Sequence, residues 1–148
     1  MYKHILIATD GSDLAQHAES TGLQLAKALQ GRVTVVTVTE PWDALSMAAL
    51  AERGLPNPVA DYDERVASSA NLILKRVAEA AKSIGISCTM VHSKGKYPAD
   101  GILETASEQG CDLIVMASHG PRGISRLLLG SQTTQVVTLS TMPVLVCR

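Results

Sequence analysis

The amino-acid sequence predicts an α/β fold built on a parallel sheet, and three observations support this prediction. Short apolar runs alternate with longer segments of helical periodicity, which is typical of βαβ units. Several runs are almost continuously apolar, as expected of strands that helices cover on both faces. Of the 148 residues, 46% are hydrophobic but only 3% aromatic, so we expect an aliphatic core. This length suits a single domain spanning residues 1–148.

The first part of the chain predicts two strands and a helix. The run His4–Thr9 is nearly continuously apolar, which favours a buried strand. The next helix is predicted from Asp13 to Leu29, because Ser12 can cap its first turn and Gly31 can end it. Its apolar stripe consists of Leu14, Ala18, Gly22, Leu25 and Leu29. The segment Arg32–Val38 is rich in valine and threonine, which favours a second strand.

The middle of the chain predicts an insertion, a long helix and a third strand. The segment 40–60 has no regular periodicity, and we expect only a turn or two of helix around Leu45–Arg53. From Tyr62 to Ser83, apolar residues recur at spacings of four and three, and Gly85 ends this helix. The third strand is predicted at Ile86–Val91.

The last part of the chain predicts two further helices and two strands. A helix begins at Pro98, a residue common at the first helical position, and ends at Gly110. The apolar run Cys111–Ala117 predicts the fourth strand. The fourth main helix begins at Ser131, and Pro143–Cys147 predicts the fifth strand.

Composition excludes several classes of protein. The net charge of −1 provides no general attraction to nucleic acid. No apolar stretch approaches the ~20 residues of a membrane helix, and the run 5–8 is too short for a signal peptide, so we expect a cytoplasmic protein that binds no membrane. Cys88, Cys111 and Cys147 lack the spacing of a metal site, so we expect free thiols and no metal ligation.

The connection after the fourth strand is the strongest functional signal. It runs for twelve residues from Ser118 to Leu129, whereas connections of about 4–6 residues are usual. Gly120 and Gly130 permit positive φ and close backbone approach. The free N–H groups of the helix that Ser131 opens favour an anion. Because Asp10 ends the first strand at the same edge of the sheet, we expect a phosphate-containing ligand there.

These residues resemble the universal stress proteins, whose nucleotide-binding members carry G-x2-G-x9-G-(S/T). The corresponding pattern here is Ala117-x2-Gly120-x9-Gly130-Ser131. The opening KHILIATDGS and the closing PVLVCR extend the resemblance over the whole chain. It implies a three-layer, Rossmann-like α/β/α sandwich with a five-stranded parallel sheet of order 3-2-1-4-5, here with four main helices.

The resemblance also implies that the ligand is an adenine nucleotide, ATP alone or as its Mg²⁺ complex. Asp10 would reach the nucleoside, Val38 would meet adenine, and the glycine loop would hold the ribose and phosphates. The residues implied in binding are Ala8, Thr9, Asp10, Val38, Met116, Ala117, Ser118, His119, Gly120, Arg122, Gly130, Ser131 and Gln132. Ala117 replaces the first motif glycine, so a ribose packed against residue 117 would contact a methyl group.

Several side chains near this loop allow two interpretations. His119 could act as an acid or base, or it could only donate hydrogen bonds to loop carbonyls. Arg122 and Arg126 could clamp phosphates or be solvated charges. Trp42 and Met47 could cover the base as a lid or pack onto the sheet. No general base can be assigned, so we expect no efficient catalysis and at most slow ATP hydrolysis.

The last strand, Pro143–Cys147, is predicted to lie at an exposed edge of the sheet. An apolar edge strand promotes association with another strand, and family members dimerise through this strand, so the resemblance implies a homodimer. Two functions follow: an ATP-binding regulatory stress protein, or a dimer that binds no nucleotide and acts through protein–protein interaction. Because the sequence has no Phe, we expect adenine to lie between aliphatic side chains rather than to stack on aromatic rings.

Overall fold

The computed structural model describes residues 1–120 and 129–148. The strands are β1 (His4–Ala8), β2 (Arg32–Thr39), β3 (Cys88–Lys94), β4 (Leu113–Ala117) and β5 (Val144–Cys147). The helices are α1 (Asp13–Ala28), α2 (Ala44–Glu52), α3 (Pro58–Ser83), α4 (Pro98–Glu108) and α5 (Ser131–Leu139).

The five strands form one parallel sheet in the order β3-β2-β1-β4-β5, which confirms the predicted topology. In its centre, Ile7 of β1 is in register with Val35 of β2 and Val115 of β4. The strand order reverses between β1 and β4, because the chain proceeds from β1 towards β3 and then returns. Ligands of open α/β sheets bind beside such a reversal, at the carboxyl ends of the strands.

Alternating side chains of the sheet form two hydrophobic layers. On one face, Ile5 and Ile7 pack with α1 and α3. On the opposite face, Leu6 and Ala8 pack with α4 and α5. Because aliphatic side chains fill both faces, β1 is completely enclosed, as its apolar run predicts.

The insertion contains a short helix where the sequence predicts a turn or two. Within the described residues, the nine-residue helix α2 adds to the four main helices and lies within one residue of the predicted segment Leu45–Arg53. The side chain of Asp43 caps it by accepting a hydrogen bond from the N–H of Ser46, at 2.8 Å. Its packing partner is α3, and Met47 is buried while Trp42 remains 43% exposed. Short capped helices with weak periodicity are difficult to recognise in sequence.

Two element boundaries differ from the prediction. Strand β3 lies at 88–94 rather than 86–91, because pairing with β2 continues until Lys94 lies beside Thr39. Helix α3 begins at Pro58, four residues before Tyr62. Its first turn is largely exposed and therefore lacks the apolar stripe that identifies the rest. Other boundaries agree to within two residues.

The end of α1 also differs from the prediction. Gln30 has φ 53° and is the residue that adopts the left-handed conformation after the helix, although Gly31 is predicted from the sequence to end it. Gly31 instead allows close approach of the chain, because a Cβ there would lie 3.0 Å from the carbonyl oxygen of Lys3. In the part of the chain that the structure describes, no helix is both long and apolar enough to cross a membrane.

Candidate functional site

A cavity of about 730 Å³ opens at the carboxyl ends of β1, β2 and β4. The N-terminal residues of α4 and α5 form another part of its wall. Its volume is within the range of about 300–1,000 Å³ that is usual for small-molecule sites. The cavity therefore lies at the edge of the sheet that the topology favours for ligand binding.

Most of the residues that the sequence singles out line this cavity. Eleven of the thirteen are Ala8, Thr9, Asp10, Val38, Met116, Ala117, His119, Gly120, Gly130, Ser131 and Gln132. Ser118 is not among the lining residues, and its hydroxyl lies 3.0 Å from Nδ1 of His119. Arg122 and Arg126 lie outside the described residues.

Seven lining residues are not predicted from the sequence: Ala15, Val36, Glu40, Pro98, Ile102, Leu129 and Thr133. The topology contains a signal for some of them. Because α4 follows β3, its N-terminal part must lie at the carboxyl ends of the strands. Pro98 and Ile102 belong to this part of α4 and therefore lie beside the cavity. Val36 lies two positions from Val38 and therefore faces the same side of β2.

One end of the cavity is apolar. Val36, Val38, Ile102 and Met116 all belong to the layer between the sheet and α4. A Cβ at Gly101 would lie 2.7 Å from Val38, so the glycine allows α4 to approach β2 closely. Among the described lining residues there is no Phe, Tyr or Trp, so a flat ligand here would contact aliphatic side chains.

The methyl group of Ala117 points away from this apolar end. It packs with Ala18 and Cys147 in the layer on the α1 side of the sheet. Ala117 does not have positive φ; among the described non-glycine residues only Gln30 does. The backbone of Ala117 therefore has an ordinary extended conformation. Its carbonyl accepts a hydrogen bond from the hydroxyl of Thr133, at 3.1 Å. The alanine therefore leaves the apolar end open.

Residues 9–12, the Asp10 loop, follow β1, and Thr9 and Asp10 of this loop line the cavity. Oδ1 of Asp10 accepts a hydrogen bond from the N–H of Ser12, at 2.9 Å. Oδ2 would lie 3.4 Å from a Cβ at Gly120, so the two sides of the cavity approach each other here. Among the described residues, Oδ1 has a hydrogen-bond donor and Oδ2 has none, so Oδ2 is the oxygen considered for a ligand below.

Gly120 and Gly130 act through their lack of a side chain and not through positive φ. Neither is among the positive-φ glycines, and Gly130 has φ −62°. A Cβ at Gly130 would lie 3.3 Å from the carbonyl oxygen of Ser118, which also accepts a hydrogen bond from the Gly130 N–H, at 2.9 Å. This hydrogen bond brings the two ends of the long connection together.

Within residues 1–120 and 129–148, three helix N-termini reach the cavity edge, and two of them have side-chain caps. Ser12 caps α1 by accepting from the N–H of Ala15, at 3.3 Å. Oε1 of Gln132 accepts from the N–H of Ala99 in α4, at 3.0 Å. The N-cap of α5 is Gly130, which has no side chain for this purpose. The first three N–H groups of α5 have no acceptor within the helix, so this terminus can bind an anion.

The ionisable side chains in the described part of the cavity wall are Asp10, Glu40 and His119. The contact with Ser118 favours a hydrogen-bonding role for His119, although its partner is a hydroxyl and not a loop carbonyl. Neither Trp42 nor Met47 lines the cavity, and α2, which contains Met47, packs against α3. Within residues 1–120 and 129–148, no three His, Cys, Asp or Glu side chains lie close enough to hold a metal ion.

Comparison with known proteins gives a consistent result. The model of the universal stress protein family matches residues 1–148. Universal stress protein YxiE of Bacillus subtilis is 31% identical over 149 residues, and the match covers all of both chains. The solved structure of protein MJ0577 of Methanocaldococcus jannaschii has a TM-score of 0.78 at 26% identity, over 99% of this chain and 96% of that one.

A further universal stress protein, solved in complex with cAMP, has a TM-score of 0.72 at 25% identity, covering 99% of this chain and 97% of that one. The family model and the YxiE match extend over the whole sequence, and the structural matches reproduce the fold. The chain belongs to the universal stress protein family.

Proposed function

We propose that this protein binds an adenine nucleotide, ATP, in the cavity beside the Asp10 loop and acts as a regulatory stress-response module. The observation that carries this proposal is the polarity of the cavity. It has an aliphatic end at Val38 and Met116 and an uncapped helix N-terminus at Gly130. A nucleotide has the same polarity, because an apolar base is joined through a ribose to anionic phosphates.

The proposed orientation assigns each part of the nucleotide to one part of the wall. Adenine lies between the side chains of Val38, Ile102 and Met116. Oδ2 of Asp10 accepts hydrogen bonds from the ribose hydroxyls, and the N–H groups after Gly130 bind phosphate. The complex of a 25% identical universal stress protein with cAMP supports an adenine nucleotide as the ligand class.

The charges of the wall favour ATP as its Mg²⁺ complex. Asp10 and Glu40 are acidic, and no Lys or Arg is found among the described lining residues. Mg²⁺ neutralises part of the phosphate charge and takes oxygen ligands from the phosphates themselves. The protein then needs to supply only the helix N-terminus and the loop that contains Arg122.

The same wall provides little for catalysis. Fast phosphoryl transfer needs a residue that orients the attacking water and cations on the transferred phosphoryl group. We therefore propose binding with at most slow hydrolysis, in a cytoplasmic protein whose state depends on the nucleotide.

We further propose that two copies associate through β5. This strand is at the edge of the sheet, with β4 as its neighbour. Leu145 is 37% exposed, and Val137 and Leu139 of the adjacent α5 are 45% and 61% exposed. An edge strand flanked by apolar side chains favours pairing with a second copy.

Mass spectrometry of the purified protein after denaturation, followed by calorimetric titration of stripped protein with ATP and Mg²⁺, tests the proposal. We expect co-purified ATP or ADP and saturable binding. Gly130→Val should weaken binding at least about tenfold, because its side chain would displace the Ser118 carbonyl and close the anion site.

Gln135→Val is the matched control, since it places the same side chain at an exposed position of the same helix. The control should bind ATP like the wild type, and both variants should unfold cooperatively. Absence of binding up to millimolar ATP would contradict the proposal and favour a dimer that acts by protein–protein interaction.

A further inference from the structure

A buried carboxylate behind the cavity connects the Asp10 loop to helix α3. Glu19 of α1 is only 4% exposed. Arg76 of α3 binds it through two hydrogen bonds, Nη1 to Oε2 at 2.8 Å and Nη2 to Oε1 at 2.9 Å. The hydroxyl of Thr9 also donates a hydrogen bond to Oε1. A carboxylate at this depth requires such partners, and they come from the outer helix and from the cavity wall.

Glu19 determines the direction of the Thr9 hydroxyl. A hydroxyl has one proton, and here that proton is donated to a carboxylate, which can only accept. The Thr9 oxygen is therefore left as an acceptor, and the N–H of Gly11 donates to it at 3.1 Å. Gly11 has φ +79°, so this hydrogen bond stabilises the turn at the centre of the loop.

These contacts hold the residues on both sides of Asp10. The N–H of Thr9 donates to the carbonyl of Val36, and its carbonyl accepts from the hydroxyl of Thr37, both at 3.0 Å. On the other side, a Cβ at Gly11 would lie 2.9 Å from Cδ1 of Ile73 in α3, so α3 packs directly on the loop. The direction of the Asp10 side chain follows from these fixed neighbours.

We propose that Glu19 and Arg76 are positioning residues for the nucleotide site. They orient the Thr9 hydroxyl, which shapes the loop so that Oδ2 of Asp10 faces the ribose. The inference rests on the proposed nucleotide function. Arg76 has a side chain that is 45% exposed and is not among the lining residues, so it acts on the ligand through Glu19 and Thr9.

Binding of ATP and of 2′,3′-dideoxy-ATP, measured by calorimetry, separates positioning from general destabilisation. The two ligands differ in the ribose hydroxyls that Asp10 would contact. Arg76→Met should weaken ATP binding about tenfold, the size expected for one lost hydrogen bond to a charged group, while dideoxy-ATP binding stays unchanged. Arg65→Met is the matched control, because Arg65 lies on the same helix over the Tyr62 ring, at 5.6 Å, and should change neither affinity.

Two variants of Thr9, which change the side-chain volume little, test whether Glu19 and Arg76 act through the Thr9 hydroxyl. Thr9→Val removes the hydroxyl and should cause the same selective loss of ATP affinity. Thr9→Ser keeps the hydroxyl and should retain most of the affinity for ATP. The double variant with Arg76→Met and Thr9→Val should lose less ATP affinity than the sum of the two single losses. Both substitutions interrupt the same series of hydrogen bonds from Arg76 through Glu19 to Thr9.

The outcomes distinguish the two proposals. If the wild-type protein binds no ATP, the proposed function fails, and the positioning role with it. If the wild type binds ATP and Arg76→Met and Thr9→Val leave the ratio of the two affinities unchanged, the positioning role alone is overturned. An equal loss of affinity for both ligands gives that same unchanged ratio and also overturns it.

Discussion

Two adjacent residues in the turn between α1 and β2 have roles that differ from those their types indicate. Gln30 has φ 53° although the adjacent Gly31 could adopt that conformation at lower cost. Gly31 is required where it is because its Cα lies against the backbone of Lys3. Gln30, the residue before it, therefore adopts the left-handed conformation.

This arrangement predicts that Gln30→Gly stabilises the protein. Left-handed backbone costs a non-glycine residue energy, and the gain is partly offset by the entropy of the unfolded chain, so we expect about 0.5–1 kcal/mol. Urea unfolding measures the change. Gly31→Ala should destabilise the protein, and a destabilised Gln30→Gly variant would contradict the structure at this turn.

His4 is a buried histidine whose protonation opposes folding. Burial and the Arg32 guanidinium lower its pKa below the ordinary 6.5, against a weaker opposite effect of Asp112. Its Nε2 lies 2.8 Å from the hydroxyl of Thr34. Between the folded pKa and 6.5, the unfolded state binds the proton and the folded state does not.

The free energy of unfolding should therefore decrease as the pH falls through about 6.5, by up to about 1.4 kcal/mol per pH unit for one such histidine. His92 adds to this slope, because burial and Lys94 lower its pKa as well. Urea unfolding at several pH values measures the slope, which should be smaller in His4→Phe. An unchanged slope would contradict the role of His4.

At the scale of elements, Gln132 joins the N-termini of α4 and α5. Its side-chain oxygen accepts from the N–H of Ala99, which is 1% exposed. The same contact withdraws the Gln132 oxygen from the ligand and leaves the N-terminus of α5 as the anion site. The phosphate contact that the resemblance implies for this residue is compatible with this role, because its backbone N–H stays at the N-terminus of α5 while its side-chain carbonyl connects the two helices.

Gln132→Leu should destabilise the protein by about 1–3 kcal/mol, because a buried N–H loses its acceptor. Gln132→Glu keeps an acceptor and should be less destabilised. Gln135→Leu on the exposed side of α5 is the control. Thermal or urea unfolding gives the comparison, and equal stability of Gln132→Leu and the control would contradict the bridging role.

At the scale of the whole molecule, the sheet has two edges with different surroundings. Leu145 on β5 is partly exposed at one edge, where α5 packs beside β5, while Met90 on β3 is 48% exposed at the opposite edge. We expect Leu145→Glu to convert a dimer of two 15.6 kDa chains into a monomer. Met90→Glu should remain dimeric in sedimentation analysis, and a dimer that persists in Leu145→Glu would contradict pairing through β5.

The sequence by itself predicts the layered fold, since periodicity and glycine positions depend on short-range geometry that every β-strand and α-helix shares. It also predicts most of the cavity wall, because the ends of parallel strands must meet at one edge. The bounds of β3 and the start of α3 are predicted less accurately, since local patterns there are weak and tertiary contacts decide where these elements begin and end.

Only the tertiary structure reveals the neighbours of each side chain. The apolar stripe of α1 includes Leu14 and Leu25, yet both are only half-buried, and the most buried face of this helix contains Glu19. A charged residue within a helix is normally assigned to solvent. Glu19 is buried because α3, 57 positions away at Arg76, provides a matching charge. Such a pairing depends on how distant elements pack, and no local pattern in the sequence encodes it.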